Sequence, residues 1–406
     1  MIKIITDEKK VNEVLTRGVE KIYPDKKSLR KLLLSGKRAR LYCGFDPSAP
    51  ALHIGNAILI NKLAQFQALG HEVIFLIGDF TGMIGDPTDK LATRKKMTRA
   101  AVKENSKNYQ AEASAYLNFS GANPAKVRYN SEWNDKLTFK GLIELSANFT
   151  VQQMIQRDMF QKRLKNEQPI HLHEFLYPLA QGYDSLAMDV DLEIGGNDQM
   201  FNMMAGRDLM KAVKKKEKYV LTMKLLADDK GVKMGKTTGN AVFLNVDPKN
   251  MYGIIMSWPD EVIGVGFELC TKASMDEVNE VQKKLRAGKV NPRDLKMKLA
   301  LAITKLVHGE EKAQEAEEYF IKIIQKKEVP GEITEKTLKI ANCKLVDLLV
   351  KIGLASSKGE ARRLIKQGGI KLDGKVAGDA EREIKIGKAG TLLQRGKRQF
   401  VRVIGN

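Results

Sequence analysis

Residues 39–78 read ARLYCGFDPSAPALHIGNAILINKLAQFQALGHEVIFLIG, and the order of textures within them decides the fold. Leu41-Tyr42-Cys43-Gly44-Phe45 is an apolar run of strand length that stops at a proline turn, Asp46-Pro47-Ser48. From His53 to Gly70 the residues Ile54, Ile58, Leu59, Leu63, Phe66 and Leu69 recur at helical spacing, and Gly70 closes the pattern. Val73 to Ile77 is a second run, rich in β-branched residues, ended by Gly78. Strand, helix, strand over this short span is a βαβ unit and predicts a parallel sheet. A histidine at the start of that helix, just after a strand end, sits where open α/β sheets bind ligands. The helix start attracts anions through its free N–H groups and dipole. Gly55 lets a flat ring approach the backbone.

Outward from this unit the texture changes in both directions. Residues 1–38 read as a charged, mostly helical leader, and Val127-Arg128-Tyr129 as a later strand among helical patterns. From Met251 to Gln325 the pattern is helical, with Asn291-Pro292 as N-cap and first residue of a helix reaching about Val307. Residues 328–342 contain Pro330-Gly331 and read as a linker. Beyond Cys343 the pattern predicts two short helices and then short basic strands. Leu345 to Leu354 is amphipathic. Ser357-x-x-Glu360 is a capping box for a second helix carrying Arg362, Arg363 and Lys366, stopped at Gly368-Gly369. Asp373-Gly374 predicts a hairpin.

A chain of 406 residues predicts two or three domains, and 43% hydrophobic with 29% charged residues is ordinary for a globular protein. The charge is not ordinary: 69 Lys and Arg against 49 Asp and Glu leave +20. Clustered cations suit phosphates, so nucleic acid is the first partner to consider. Residues 344–406 alone hold 15 Lys and Arg against 6 Asp and Glu, a net +9. Three scattered cysteines without a CxxC pair point away from a disulfide framework or zinc knuckle and toward a reducing compartment. The opening MIKIITDEKK resembles neither a secretory signal nor a transit peptide, and no run approaches the ~20 apolar residues of a membrane span.

A second cluster is Lys233-Met234-Gly235-Lys236-Thr237-Thr238, two lysines around a glycine that would make a phosphate clamp. It is not a P-loop: three residues, rather than four, separate Gly231 from Gly235, and Thr238-Gly239-Asn240 reads as loop instead of helix. Taken singly, Tyr42 and Tyr177 read as core aromatics, Asp86 before Pro87 as a turn residue, and Asp184 as a surface charge. Their combination carries more.

An early His53-Ile54-Gly55-Asn56 followed by Lys233-Met234-Gly235-Lys236-Thr237 resembles the HIGH and KMSKS signatures of class I aminoacyl-tRNA synthetases. Tyr42 to Asp46, Thr81 to Pro87, Tyr177 to Asp184 and Gly195 to Gln199 look, in order, like the motifs of the tyrosyl family. The tail resembles a small S4-type RNA-binding domain. The resemblance implies an α/β fold with a Rossmann-like parallel-sheet catalytic domain over 1–240. An anticodon-binding helical domain follows over 241–327, then the linker 328–342 and a small α+β RNA-binding domain over 343–406. It implies that Tyr42 and Asp184 hydrogen-bond a tyrosine phenol. Asp86, Tyr177 and Gln181 would hold its ammonium, with Gln199 near its carboxylate. Gly44, Asp46, Gly196 and Asp198 would surround the α-phosphate and ribose, and Cys43 and Asn56 would line the ribose. Ser48, His53, Lys233 and Lys236 would act on the leaving pyrophosphate.

The implied partners are L-tyrosine, ATP with Mg²⁺, and tRNA-Tyr, taken up by a cytoplasmic homodimer with no membrane association. Arg362, Arg363 and Lys366 are the candidate RNA contacts. Two positions depart from the family pattern: Asn56 stands where the last HIGH histidine falls, though an amide can still donate, and Gly235 replaces the central KMSKS serine. A tryptophanyl enzyme is disfavoured because an indole has no hydroxyl for Tyr42 and Asp184. A non-catalytic RNA-binding scaffold is disfavoured by the presence of His53, Lys233 and Lys236.

Overall fold

The computed structural model describes residues 2–87, 97–227, 241–325, 334–338, 342–387, 390–396 and 399–405. The chain divides into two compact units, 1–313 and 314–406. The helices from Pro248 to His308 therefore belong to the same unit as the sheet, where a separate domain over 241–327 was expected.

The first unit is built on a six-stranded sheet of β1 (Val19–Tyr23), β2 (Arg40–Phe45), β3 (Glu72–Ile77), β4 (Lys126–Tyr129), β5 (Leu192–Gly196) and β6 (Tyr219–Met223). Their spatial order is β1-β6-β5-β2-β3-β4. β1 is antiparallel to β6 and every other pair is parallel. The expected βαβ unit is present, with the intervening helix at Ile54–Ala68. β3 and β5 are buried almost throughout, as strands covered on both faces must be, which is why they read as continuous apolar runs rather than alternations. The leader departs from expectation: between its helices Glu8–Val14 and Lys26–Leu34 lies β1, an edge strand too polar to announce itself.

Chain order sets the ligand position. From β2 the chain runs outward through β3 to β4, then returns to the other side of β2 for β5 and β6. The order reverses between β2 and β5, and their carboxyl ends open a crevice.

The second unit holds β7 (Thr334–Leu338), β8 (Asn342–Lys344), β9 (Ile370–Leu372), β10 (Lys375–Val376), β11 (Glu383–Lys385), β12 (Thr391–Arg395) and β13 (Gln399–Gly405). Five of these form a sheet in the order β10-β9-β12-β13-β7, and β8 pairs with β11. The expected linker 328–342 is thus corrected in part: β7 lies in it and pairs in parallel with β13 from Thr334↔Val401 to Leu338↔Gly405. Pro330 and Gly331 lie outside the described residues. Leu345, Leu348, Leu349, Ile365, Leu393 and Val403 form a core of the unit's own.

The hairpin falls at Asp373-Gly374, where φ angles of +46° and +82° match the left-handed pair of a tight hairpin turn. Ser357 caps the helix Lys358–Lys366 by accepting from the Glu360 N–H at 3.2 Å. Glu360 reaches back to Ser356 rather than to Ser357, so the box closes one residue early.

Candidate active site

The crevice at the ends of β2 and β5 opens into a cavity of about 390 Å³. Every expected catalytic, tyrosine or nucleotide residue outside the Lys233–Lys236 loop lines it: Tyr42, Cys43, Gly44, Asp46, Ser48, His53, Asn56, Asp86, Tyr177, Gln181, Asp184, Gly196, Asp198 and Gln199. They come from β2 and the loop after it, the start of the Ile54–Ala68 helix, the segment after the short helix Thr81–Ile84, the helix Leu172–Met188, and the end of β5 with the turn after it.

Tyr42 and Asp184 line the cavity and are both buried. Asp184 accepts from Trp133 Nε1 at 2.8 Å, Asn134 Nδ2 at 3.2 Å and Asn130 Nδ2 at 3.3 Å. Burial pushes its pKa well above the usual carboxylate range, while these three donors pull it back. Burial also raises the Tyr42 phenol, with Glu193 and Asp184 adding to the effect. Tyr42 therefore stays a neutral hydroxyl; its Oη lies 2.9 Å from Ser185 Oγ.

Toward the mouth the carboxylates are wired to their neighbours. Asp46 accepts from Tyr177 Oη at 2.7 Å and from Thr81 Oγ1 at 2.6 Å. Gly78 makes this approach possible, because a Cβ there would fall 2.0 Å from Asp46 Oδ1. Asp86 accepts from Gln199 Nε2 at 2.6 Å, and Asn202 Nδ2 braces Gln199 Oε1 at 3.0 Å.

The helix start is closed by a reciprocal cap. His53 Nδ1 accepts the Asn56 N–H at 3.3 Å and Asn56 Oδ1 accepts the His53 N–H at 3.0 Å. The backbone N–H of Asn56 thus holds the histidine ring, while its side chain caps the His53 backbone, a local role that its place in the motif did not suggest. Cys43 is buried and its thiol pKa is raised by that burial, so it lines the cavity as a neutral group.

Lys233 and Lys236, with Gly235 between them, lie outside the described residues. The segments flanking that stretch are placed. Leu226 lines the cavity, and Val242–Leu244 bonds to the segment that enters the helix: the Ile54 N–H donates to Val242 O at 2.9 Å and the Leu244 N–H to Leu52 O at 2.8 Å. In the second unit Arg362, Arg363 and Lys366 are all exposed on one helix, with Arg362 also 3.0 Å from Glu381.

Sequence reading missed Trp133, Asn130, Asn134 and Asn202, polar supports that carry no motif, and gave Thr81 no role although it opens one. It also missed Ser185, Glu193 and Lys218 behind Tyr42. Lys218 gave no signal, since it closes the run Lys214-Lys215-Lys216-Glu217-Lys218, which reads as solvated charge.

Comparison with known proteins places these features in a family. Residues 34–325 match the family of tRNA synthetases class I (W and Y), and residues 343–388 match the S4 domain. The chain is 42% identical over 394 residues to a tyrosine–tRNA ligase of Moorella thermoacetica, spanning 96% of this chain and 94% of that one. It is also 42% identical over 403 residues to a tyrosine–tRNA ligase of Thermotoga maritima, spanning 99% of this chain and 98% of that one. The fold resembles a C-terminally truncated mitochondrial tyrosyl-tRNA synthetase of Coccidioides posadasii, with a TM-score of 0.62 at 24% identity over 76% of this chain and 91% of that one. It also resembles a tyrosyl-tRNA synthetase of Archaeoglobus fulgidus complexed with L-tyrosine, with a TM-score of 0.60 at 20% identity over 77% of this chain and 100% of that one.

Proposed function

The chain belongs to the bacterial-type tyrosine–tRNA ligases of class I, and we propose that it works by two successive displacements in the β2–β5 crevice. In the first, a carboxylate oxygen of L-tyrosine attacks the α-phosphorus of ATP, a new P–O bond forms, and pyrophosphate leaves. In the second, a terminal hydroxyl of tRNA-Tyr attacks the tyrosyl carbonyl and AMP leaves. The first step needs no protein nucleophile, because the substrate carboxylate supplies the electrons.

Catalysis is then positioning and charge stabilisation. Tyr42 and Asp184 take the phenol, and Asp86, Tyr177 and Gln181 take the ammonium. Gln199 lies by the carboxylate. Asp46, Gly44, Gly196 and Asp198 surround ribose and α-phosphate, with Cys43 and Asn56 along the ribose. Ser48 and His53 meet the departing pyrophosphate, and Lys233 and Lys236 close on it. Mg²⁺ enters as part of the substrate, held by the phosphates and water.

The observation that supports this reading most is the pair of buried polar groups in the lining of the cavity, Tyr42 and Asp184. An indole or a phenyl ring would offer no partner for the hydrogen-bonding capacity that their protein contacts leave over. Tyrosine-dependent ATP–pyrophosphate exchange is the test. Exchange with tryptophan alone, or with no amino acid, overturns the assignment.

Two partner proposals accompany it. Phe139, Ile143, Val151, Leu164 and Leu172 are 79%, 55%, 70%, 48% and 81% exposed, a density of bare apolar side chains that supports a homodimer through this region. The second unit, by its basic helix and S4 match, is proposed to grip tRNA. Cytoplasmic location is proposed from the substrate; no helix among the described residues is long and apolar enough to cross a membrane.

A further inference from the structure

Behind the tyrosine slot lies an ion pair whose burial needs a reason. Glu193 on β5 and Lys218 just before β6 have side chains only 3% and 0% exposed, and they pair directly. Lys218 Nζ also donates to Ser185 Oγ at 2.8 Å and to Met203 O at 3.1 Å. All three ammonium hydrogens thus have acceptors. The other oxygen of Glu193 accepts from Gln181 Nε2 at 3.0 Å. Room for the ammonium comes from Gly206, where a Cβ would fall 2.6 Å from Lys218 Nζ and 2.8 Å from Ser185 Oγ. Buried pairs of this kind are weak sources of stability, because desolvation offsets attraction.

The pair does have directional consequences. An ammonium only donates and a carboxylate only accepts. At Ser185, Lys218 occupies a lone pair, so the serine hydrogen turns elsewhere. Tyr42 Oη is 2.9 Å away, while the nearer Glu193 oxygen is 3.4 Å away and already holds Lys218. Donation from Ser185 to Tyr42, the shorter of its two contacts, leaves the Tyr42 hydrogen for the slot. A Tyr42 donor beside the Asp184 acceptor complements a phenol, which both accepts and donates. At the other end, Glu193 holds the nitrogen of the Gln181 amide, which leaves the amide oxygen as an acceptor for an ammonium.

We propose that the Glu193–Lys218 pair is a positioning device that sets the hydrogen-bond polarity at both ends of the tyrosine slot, through Ser185 and Tyr42 at one end and through Gln181 at the other. This rests on the tyrosine reading above.

The test is pyrophosphate exchange by the full-length protein, with kcat and KM measured for tyrosine and for phenylalanine. Ser185→Ala is expected to cut the tyrosine/phenylalanine ratio of kcat/KM by ~10-fold, entirely through tyrosine, equivalent to about 1.4 kcal/mol. Lys218→Met is expected to do the same, and Lys218→Gln, which keeps an N–H for Ser185, to retain most of the ratio. Glu193→Gln is expected to raise KM for tyrosine more than it lowers kcat. Lys218→Met strands the Glu193 charge, so if that variant does not fold, Ser185→Ala and Lys218→Gln decide the matter. Equal losses for both amino acids, or an unchanged ratio in Ser185→Ala, overturn the proposal while the tyrosine assignment stands. A wild-type protein without tyrosine-dependent exchange overturns both.

Discussion

Tyr177 Oη donates to Asp46 Oδ2 across 2.7 Å, joining the helix Leu172–Met188 to the loop that leaves β2. The bond links the proposed ammonium site to the proposed nucleotide site, so each substrate should sense the other's loop.

Tyr177→Phe removes that link together with the hydroxyl proposed to meet the ammonium, so the ATP response is the part that reads the link. A hydrogen bond to a charged partner contributes ~1.5–3 kcal/mol, so kcat/KM for exchange is expected to fall about 10- to 100-fold. KM should rise for tyrosine and for ATP together. A rise confined to one substrate would show the two sites to be independent.

Asp184→Ala is expected to remove tyrosine-dependent exchange and to lower thermal stability as well. It deprives Trp133, Asn130 and Asn134 of their shared acceptor, and each stranded buried donor costs ~1–3 kcal/mol. Calorimetry and exchange on the same preparation check both halves. Undiminished exchange would remove Asp184 from the phenol site.

Lys233→Ala and Lys236→Ala should act on rate rather than binding. Groups that tighten only on the departing pyrophosphate lower kcat, and lost donors of this kind cost ~10²–10³-fold. Tyrosine affinity by equilibrium dialysis should be unchanged. Wild-type kcat in both variants would remove the clamp.

His71 gives a pH signature. It is fully buried, its Nδ1 accepts the Ala39 N–H at 3.2 Å, and burial first, then Arg38, lowers its pKa from 6.5 to about 4. The folded state binds fewer protons than the unfolded state between those values. Stability from this group is therefore present above pH 6.5 and is lost as pH falls toward 4, by on the order of 3 kcal/mol. His71→Leu should be less stable at pH 7 yet flatter across this window in urea unfolding. Parallel pH curves would exclude His71 as the source.

Truncation after Glu328 cuts before β7 and so removes the whole five-stranded sheet rather than splitting it. Exchange should stay near wild type while tRNA charging falls. With it should fall the salt dependence of tRNA binding, because residues 344–406 carry +9. Intact charging and an unchanged salt slope would leave the tail without an RNA role.

Local sequence determined the βαβ unit, the helix ends and the tail hairpin, because each depends on neighbours along the chain. The spacing of Ile54 to Leu69, the Asn291-Pro292 start and the left-handed Asp373-Gly374 pair could all be read before any folding. The motif residues were likewise legible as a set, since each is a recognisable group in a recognisable order. Tertiary structure decided what those groups touch. β1 was invisible because its pairing with β6 joins residues about two hundred apart, and no local pattern records that. Lys218 reads as one more surface charge in a lysine run. Only the approach of β6 to β5, with Gly206 leaving room, removes it from water and sets it against Glu193. Burial and long-range hydrogen bonding turn ordinary residues into parts of a site, and both come from chain segments that meet only in three dimensions.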